Sequence, residues 1–278
     1  MRTRFAPAPT GFLHLGHVAN AIYVWGLAAR LNADVLLRIE DHDRQRCRPE
    51  YERALLEDLA WLGFVPDQPS FEELQRGPSS WRQSNGAALY EAAAERLRRR
   101  GHHLYWCDCS RSTVAAGEEP LDPNTERPYP GRCRDRNLGP GPDRGLRLYL
   151  PEAEQTFTDL RLGLQRQVPS RQCGDLLLRD RRGNWTYQFA VVVDDERHGI
   201  DLVVRGEDLL ESTGRQLQLG AMLGREVPPA FLHHTLIRKP GGEKLSKSSG
   251  DTGVRDLRAA GKTREQVLAL ARAWSLRA

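Results

Sequence analysis

Lysine is nearly missing from this 278-residue chain: there are four, against 37 arginines. A basic surface built from scattered lysines is therefore excluded, and two lysines in one short loop, Lys244 and Lys247, call for an explanation. Long apolar runs are missing too. None approaches the ~20 residues that a membrane-spanning helix needs, so no membrane partner is expected. The chain opens on a strand-like segment in place of a secretory leader, which makes the cytoplasm the default compartment. Cysteine is sparse and odd in number: Cys47, Cys107, Cys109, Cys133 and Cys173. An odd set in a cytosolic chain argues against a disulfide framework. Neither charge sign dominates, and a formal net charge of +4 is compatible with a polyanionic partner but only weakly supports one. Internal repeats and low-complexity segments are absent. The length suffices for one large domain or two small ones with a buried core.

The stretch Pro7-Ala8-Pro9-Thr10-Gly11-Phe12-Leu13-His14-Leu15-Gly16-His17 organises the chain. Thr3 to Ala6 before it reads as a strand, Val18 to Leu31 after it as a helix with Ile22, Trp25, Ala29 and Leu31 on one face, and Val35 to Ile39 as a second strand. That order and spacing predict a βαβ unit with parallel strands. The turn then opens at a strand's carboxyl end, where open parallel sheets bind ligands and a helix N-terminus offers N–H groups to phosphate. His14 and His17 can donate to phosphate oxygens, and Gly16 leaves room for a flat base. The plainer alternative is that the histidines cap and pack. The loop Glu243-Lys244-Leu245-Ser246-Lys247-Ser248-Ser249 follows the turn Pro240-Gly241-Gly242. It reads as a clamp on a triphosphate or as a solvated basic turn.

Further expectations follow in chain order. Pro49 to Leu62 is a helix stopped by Gly63, and residues 65 to 83 are a polar connection. Ser84 caps a helix with Ala88, Leu89, Ala92, Ala93 and Leu97 inward, ending in Arg98-Arg99-Arg100. His103 to Trp106 is a strand. A long irregular stretch from Cys107 to about Pro142 needs something to pin it. Cys107-x-Cys109 with Cys133 supplies three thiolates for a structural zinc, and the residues alone leave His102, His103, Asp108, Tyr129 or water as the fourth ligand. Arg147 to Leu150 and Asp175 to Arg179 alternate like strands, joined by Phe157-Thr158-Asp159. Val191-Val192-Val193 is an apolar run ending in Asp194-Asp195, and Asp201 to Val204 is another buried strand. Leu209 to Leu223 is helical, Phe231 to Ile237 a strand, and Thr263 to Leu276 a helix with Val267, Leu268, Ala271 and Trp274 inward.

With His14-x-Gly-His17 early and Lys244-Leu245-Ser246-Lys247-Ser248 late, three more motifs decide a family: Arg4 to Gly11, Arg38-Ile39-Glu40-Asp41 and Val204-Arg205-Gly206-Glu207-Asp208. From about residue 2 to 250 the chain resembles class I aminoacyl-tRNA synthetases of the glutamyl type, and among them the truncated paralogues that glutamylate queuosine in tRNA(Asp). The resemblance implies an α/β fold, a Rossmann-type parallel sheet split by a zinc-containing insertion, with a short helical C-terminal segment and no anticodon-binding domain. The expected divisions are 1–100 and 171–232 for the halves of the nucleotide-binding fold, 101–170 for a tRNA-facing insertion, and 233–278 for the lysine loop and helical tail.

The same resemblance implies ATP-dependent activation of L-glutamate, with Mg2+ accompanying ATP. Catalysis falls to His14, His17 and Lys247, and ATP binding to these with Gly16 and Lys244. Glutamate falls to Arg4, Phe5, Ala6, Pro7, Ala8, Glu40, Tyr187 and Arg205. Zinc falls to Cys107, Cys109, Tyr129 and Cys133, since the paralogues share that set. Ala8 stands where the family usually has serine. The acceptor implied is the queuosine diol in the anticodon stem-loop of tRNA(Asp), with the protein acting as a monomer. The competing readings are a minimal glutamyl-tRNA synthetase, an adenylate-forming ligase with a small-molecule acceptor, and a regulatory relic without catalysis.

Overall fold

A computed structural model describes residues 1–110, 113, 127–236 and 253–275. The lysine loop, with Lys244 and Lys247, and the side chain of Trp274 lie outside the described residues.

The opening βαβ unit forms as its spacing predicts, but Ala29 and Leu31, read as part of the helix's apolar face, are exposed. Strand β1 (Arg2–Phe5) pairs in parallel with β2 (Asp34–Leu37), and α1 (Leu15–Leu31) crosses between them. Leu15, Val18, Val24 and Ala28 of α1 join Phe5, Val35 and Leu37 in the main core, each almost fully buried. Leucines of that kind each contribute about 2 kcal/mol through burial. Helix α2 (Pro49–Leu62) begins at a proline that needs no amide partner and ends on Gly63 at φ 78°, a left-handed turn favouring glycine. The connection read as merely polar contains a short helix, α3 (Phe71–Gln75), capped by Ser70.

Helix α4 (Ala87–Arg99) starts later than its sequence suggested. Gly86 is its cap, Ser84 sits in a preceding single 3-10 turn, and Tyr90, Ala93, Ala94 and Leu97 face inward, while Ala88, Leu89 and Ala92 are exposed. Strands β3 (Leu104–Cys107), β4 (Gly145–Leu148) and β7 (Leu176–Arg179) form a separate three-stranded antiparallel sheet. Between β4 and β7 the chain returns to the main sheet as a hairpin, β5 (Gln155–Asp159) and β6 (Gly163–Gln167), before α5 (Pro169–Cys173). Residues 155–167 thus lie in the main sheet, inside the stretch assigned by sequence to the insertion, and β7 extends the small sheet beyond residue 170. Register explains both: Asp159 pairs with Phe231 of the main sheet, and Leu176 with Leu148 of the small one.

The valine run lies in a helix, α6 (Tyr187–Arg197), not in an extended segment. Its three valines are buried against α4 and α7 (Ser212–Leu223), so packing overrides their strand propensity. Strands β8 (Leu202–Gly206) and β9 (Ala230–His234) complete a six-stranded sheet in the order β2-β1-β8-β9-β5-β6, parallel except for the β6 edge. The closing helices α8 (Val254–Ala259) and α9 (Arg264–Ser275) are integral to the main core, through Val254, Val267 and Ala271.

His198, just after α6, stacks on Trp81 at 4.7 Å, and among the described residues neither ring nitrogen has a hydrogen-bond partner. Burial, aided by Arg38 and Arg197, depresses its pKa from 6.5 to about 4. The folded protein therefore takes up this proton later than the unfolded chain does. The stability contributed is full above about pH 6.5 and lost as pH falls toward 4. His198→Phe should flatten the acid-side fall in unfolding free energy by about 2 kcal/mol, measured by urea denaturation from about pH 7 to 4. An unchanged slope would assign the loss to other groups.

Candidate active site and thiol cluster

Arg4, Arg205 and Glu40 come together because β1, β8 and the segment after β2 end side by side. The parallel ladder continues past the strands: Arg38 N–H donates to Phe5 O at 3.0 Å, and Glu40 N–H to Pro7 O at 3.0 Å. Arg48 N–H donates to Pro9 O at 3.1 Å. The Pro7–Pro9 turn is thereby laced to the acidic segment, and Ala8 lies partly buried within it.

Asp195 ties the cluster together. Arg4 Nε donates to its two oxygens at 3.1 and 3.3 Å, and Arg38 donates to Oδ1 at 2.7 Å. Arg38 also reaches Glu40 Oε1 at 3.0 Å. Burial opposes ionisation of Asp195, but Arg4 and Arg38 outweigh it and hold the carboxyl below its usual range. Among the described residues Arg4 donates only through Nε, and Glu40 accepts only through Oε1. Among the described residues Arg4 forms no ion pair with Glu40, and Arg205 forms none with Asp208.

Arg205 is the exceptional member. It is only 4% exposed, and among the described residues it makes no ion pair. Its guanidinium donates to three neutral acceptors: His233 Nε2 at 3.1 Å, Gln216 Oε1 at 2.7 Å and Thr213 Oγ1 at 2.8 Å. Burial lowers its pKa, Arg4 pushes the same way, and Tyr187 and Asp195 oppose them. The group nonetheless stays charged, as guanidinium does in proteins. A buried cation without a counter-ion is costly, and a ligand carboxylate would supply one.

His14 and His17 cap α1. His14 Nδ1 accepts from Gly16 N–H and His17 Nδ1 from His14 N–H, both at 3.1 Å. A neutral ring accepting at Nδ1 carries its proton on Nε2. The rings lie 4.0 Å apart at the N-terminus of α1. The residues flanking the lysine loop approach the same place: Gly253 bridges His14, Val254 N–H donates to Leu13 O at 2.8 Å, and a Cβ on Gly206 would lie 2.8 Å from Leu236.

The second centre is the thiol cluster. Cys107, Cys109 and Cys133 bring their sulfurs within 4.8 Å of one another. A tetrahedral zinc with bonds of about 2.3 Å to sulfur and about 2.0 Å to oxygen sets its sulfurs about 3.8 Å apart and the oxygen about 3.5 Å from each. The Cys109 and Cys133 sulfurs are 3.6 Å apart, and Tyr129 Oη lies 3.3 Å from Cys107 Sγ and 3.6 Å from Cys109 Sγ. The donor set fits zinc, with the phenol at the fourth corner. His102 instead meets Met222 O at 3.0 Å.

Gly174 holds Tyr129 there. It adopts φ 65°, and a Cβ would lie 2.0 Å from Tyr129 O. Gly174→Ala should therefore displace Tyr129, lower zinc affinity at least about tenfold and destabilise by about 3 kcal/mol. Metal titration against a chromogenic chelator checks this; unchanged affinity would remove Tyr129 from the ligand set. Beside the cluster, away from the strand-end crevice, lies a cavity of about 660 Å3 lined in part by Arg127, Arg147, Arg181 and Arg182.

Thr213, Gln216, His233 and Asp159 escaped the sequence reading. A signal existed for His233, which stands at a strand end beside the strand that carries Arg205. For Asp195 the signal was an acidic pair closing an apolar run.

A Rossmann-type parallel sheet with a phosphate-suited helix start and a carboxylate-suited arginine pocket defines a nucleotide-dependent enzyme acting on an acidic substrate. The model for the catalytic domain of class I tRNA synthetases (E and Q) matches residues 1–276, and the chain belongs to that family. It is a ligase of the glutamyl type. It is 42% identical over 246 residues to a glutamyl-Q tRNA(Asp) synthetase of Geobacter sulfurreducens, covering 88% of this chain and 74% of that one. A namesake from Symbiobacterium thermophilum is 41% identical, covering 95% and 83%. A glutamate tRNA ligase structure from Elizabethkingia meningosepticum, in complex with its amino acid, superposes with TM-score 0.75 at 31% identity, covering 90% of this chain and 52% of that one. The chain thus spans about half the length of that ligase. No helix among the described residues is long and apolar enough to cross a membrane.

Proposed function

We propose that the protein activates L-glutamate with ATP and passes the glutamyl group to the queuosine diol at the wobble position of tRNA(Asp). The observation that carries the first half is Arg205, a buried cation at a strand end that makes no ion pair among the described residues. Glutamate carries two carboxylates and one ammonium, so a carboxylate can give Arg205 the anion it lacks among the described residues, and Glu40 can take the ammonium. Arg205 and Arg4 hold its carboxylates, as guanidinium forks do. Glu40, through Oε2, holds the α-ammonium, with Tyr187 and the Phe5–Ala8 backbone lining the pocket.

A glutamate carboxylate oxygen attacks the α-phosphorus of ATP, and the bond to pyrophosphate breaks. His14 and His17 donate Nε2–H to phosphate oxygens that gain charge, beside Gly16 and the α1 N-terminus. Lys247, with Lys244, neutralises the departing pyrophosphate. The positions of Leu236 and Gly253 beside this crevice support that role. Magnesium arrives with ATP, with no protein cage needed. An acceptor hydroxyl then attacks the adenylate carbonyl and AMP leaves.

The glutamyl-Q relatives at 41–42% identity support queuosine as acceptor. Zinc held by Cys107, Cys109, Tyr129 and Cys133 would fix the fold of the small sheet, and the neighbouring arginine-lined cavity suits unstacked anticodon bases and phosphates. A second reading, transfer to tRNA(Glu), draws on matches such as the glutamate–tRNA ligase of Frankia casuarinae at 37% identity. The cytoplasm and a monomeric state complete the proposal. ATP–pyrophosphate exchange without tRNA tests the activation step. Exchange is expected with glutamate and not with glutamine or aspartate; equal exchange with glutamine would defeat the assignment of Arg205.

A further inference from the structure

Arg205 rests on an acid–imidazole pair that has no role in activation as written. Asp159 ends β5, His233 lies in β9 and Arg205 in β8, three neighbouring parallel strands. Asp159 and His233 are 1% and 0% exposed, so water cannot replace their contacts. A guanidinium only donates. The 3.1 Å bond from Arg205 Nε therefore requires His233 Nε2 to be unprotonated. The ring proton then sits on Nδ1, 2.7 Å from Asp159 Oδ2, which accepts it. Thr213 Oγ1, already accepting from Arg205, lies 3.1 Å from the same Nε2, so its hydroxyl proton points there. Asp159 is itself fixed by the N–H groups of Arg161, Leu162 and His233 at 3.0, 2.9 and 3.0 Å.

We propose that Asp159 and His233 are positioning residues: they lock one histidine tautomer, which orients the Arg205 guanidinium for the ligand carboxylate and makes glutamate binding sensitive to protonation of His233. The inference rests on the reading of Arg205 as a glutamate-binding cation. Protonated His233 sets Nε2–H against Arg205 Nε–H, donor against donor and cation against cation. The groups facing the ring are Asp159 from β5, Arg205 from β8 and the neutral Thr213 from α7. His234 adjoins it in β9, and Arg161 bonds its carbonyl. Burial, with Arg205, lowers the His233 pKa against the pull of Asp159. Protonation thus belongs to the acid side of neutrality.

The test is glutamate-dependent ATP–pyrophosphate exchange by the full chain and two variants, from about pH 5 to 8. His233→Leu leaves Arg205 Nε unpaired and should raise the KM for glutamate about tenfold or more, with the KM for ATP unchanged. His233→Gln offers Oε1 to the same N–H and cannot titrate. It should restore most of the affinity and abolish the acid-side rise in glutamate KM expected of the unsubstituted protein. The inference is overturned if both KM values move together, if neither moves, or if the acid-side rise persists in His233→Gln. Should His233→Leu misfold, the His233→Gln pH profile alone decides. Absence of exchange by the unsubstituted protein would defeat the glutamate reading, and this inference with it.

Discussion

Arg205→Leu is expected to lower kcat/KM for glutamate by about 10^2 to 10^4, because truncating one partner of a buried charge pair costs about 3–5 kcal/mol. The KM for ATP should stay within about twofold, because the proposed phosphate contacts, His14, His17 and the α1 N-terminus, do not involve Arg205. Arg205→Lys should recover little. One ammonium cannot reach Thr213, Gln216 and His233 and still pair with a planar carboxylate. Steady-state exchange kinetics with each substrate varied separately give the answer. A parallel loss for ATP and glutamate would make Arg205 structural.

The second large effect is at the thiol cluster. Cys133→Ser, or prolonged chelation, should remove a single bound zinc, and with it an apparent folding contribution of about 10 kcal/mol. The loss should be local. Hydrogen exchange is expected to show β3, β4 and β7 deprotected while β1, β2 and β8 keep their protection, because the two sheets are separate. Glutamate-dependent pyrophosphate exchange should survive and transfer to tRNA should fall at least about tenfold. Uniform deprotection would mean that the cluster supports the whole fold.

What the sequence made legible was local. The β1–turn–α1–β2 unit, the Pro49 start and Gly63 stop of α2, and the convergence of Cys107, Cys109 and Cys133 all follow from short-range patterns. What escaped was long-range. Arg4 finds Asp195 191 residues away, and His233 finds Asp159 74 residues away. The β5–β6 hairpin carries mixed polar and apolar residues that gave no strand boundary, and only its register with β9 places it in the main sheet. The valines of α6 show the opposite failure: their strand preference was plain, but burial against α4 and α7 decided the outcome. Arg205 was found by motif. That it has no ion-pair partner among the described residues is a property of the folded site alone.

The most direct test of the account is transfer of labelled glutamate, with ATP and magnesium, to two matched samples of tRNA(Asp), one carrying queuosine and one carrying guanine. Label should appear on the queuosine-containing tRNA alone. Label on neither, with pyrophosphate exchange intact and label on tRNA(Glu), would contradict the queuosine assignment and favour transfer to tRNA(Glu).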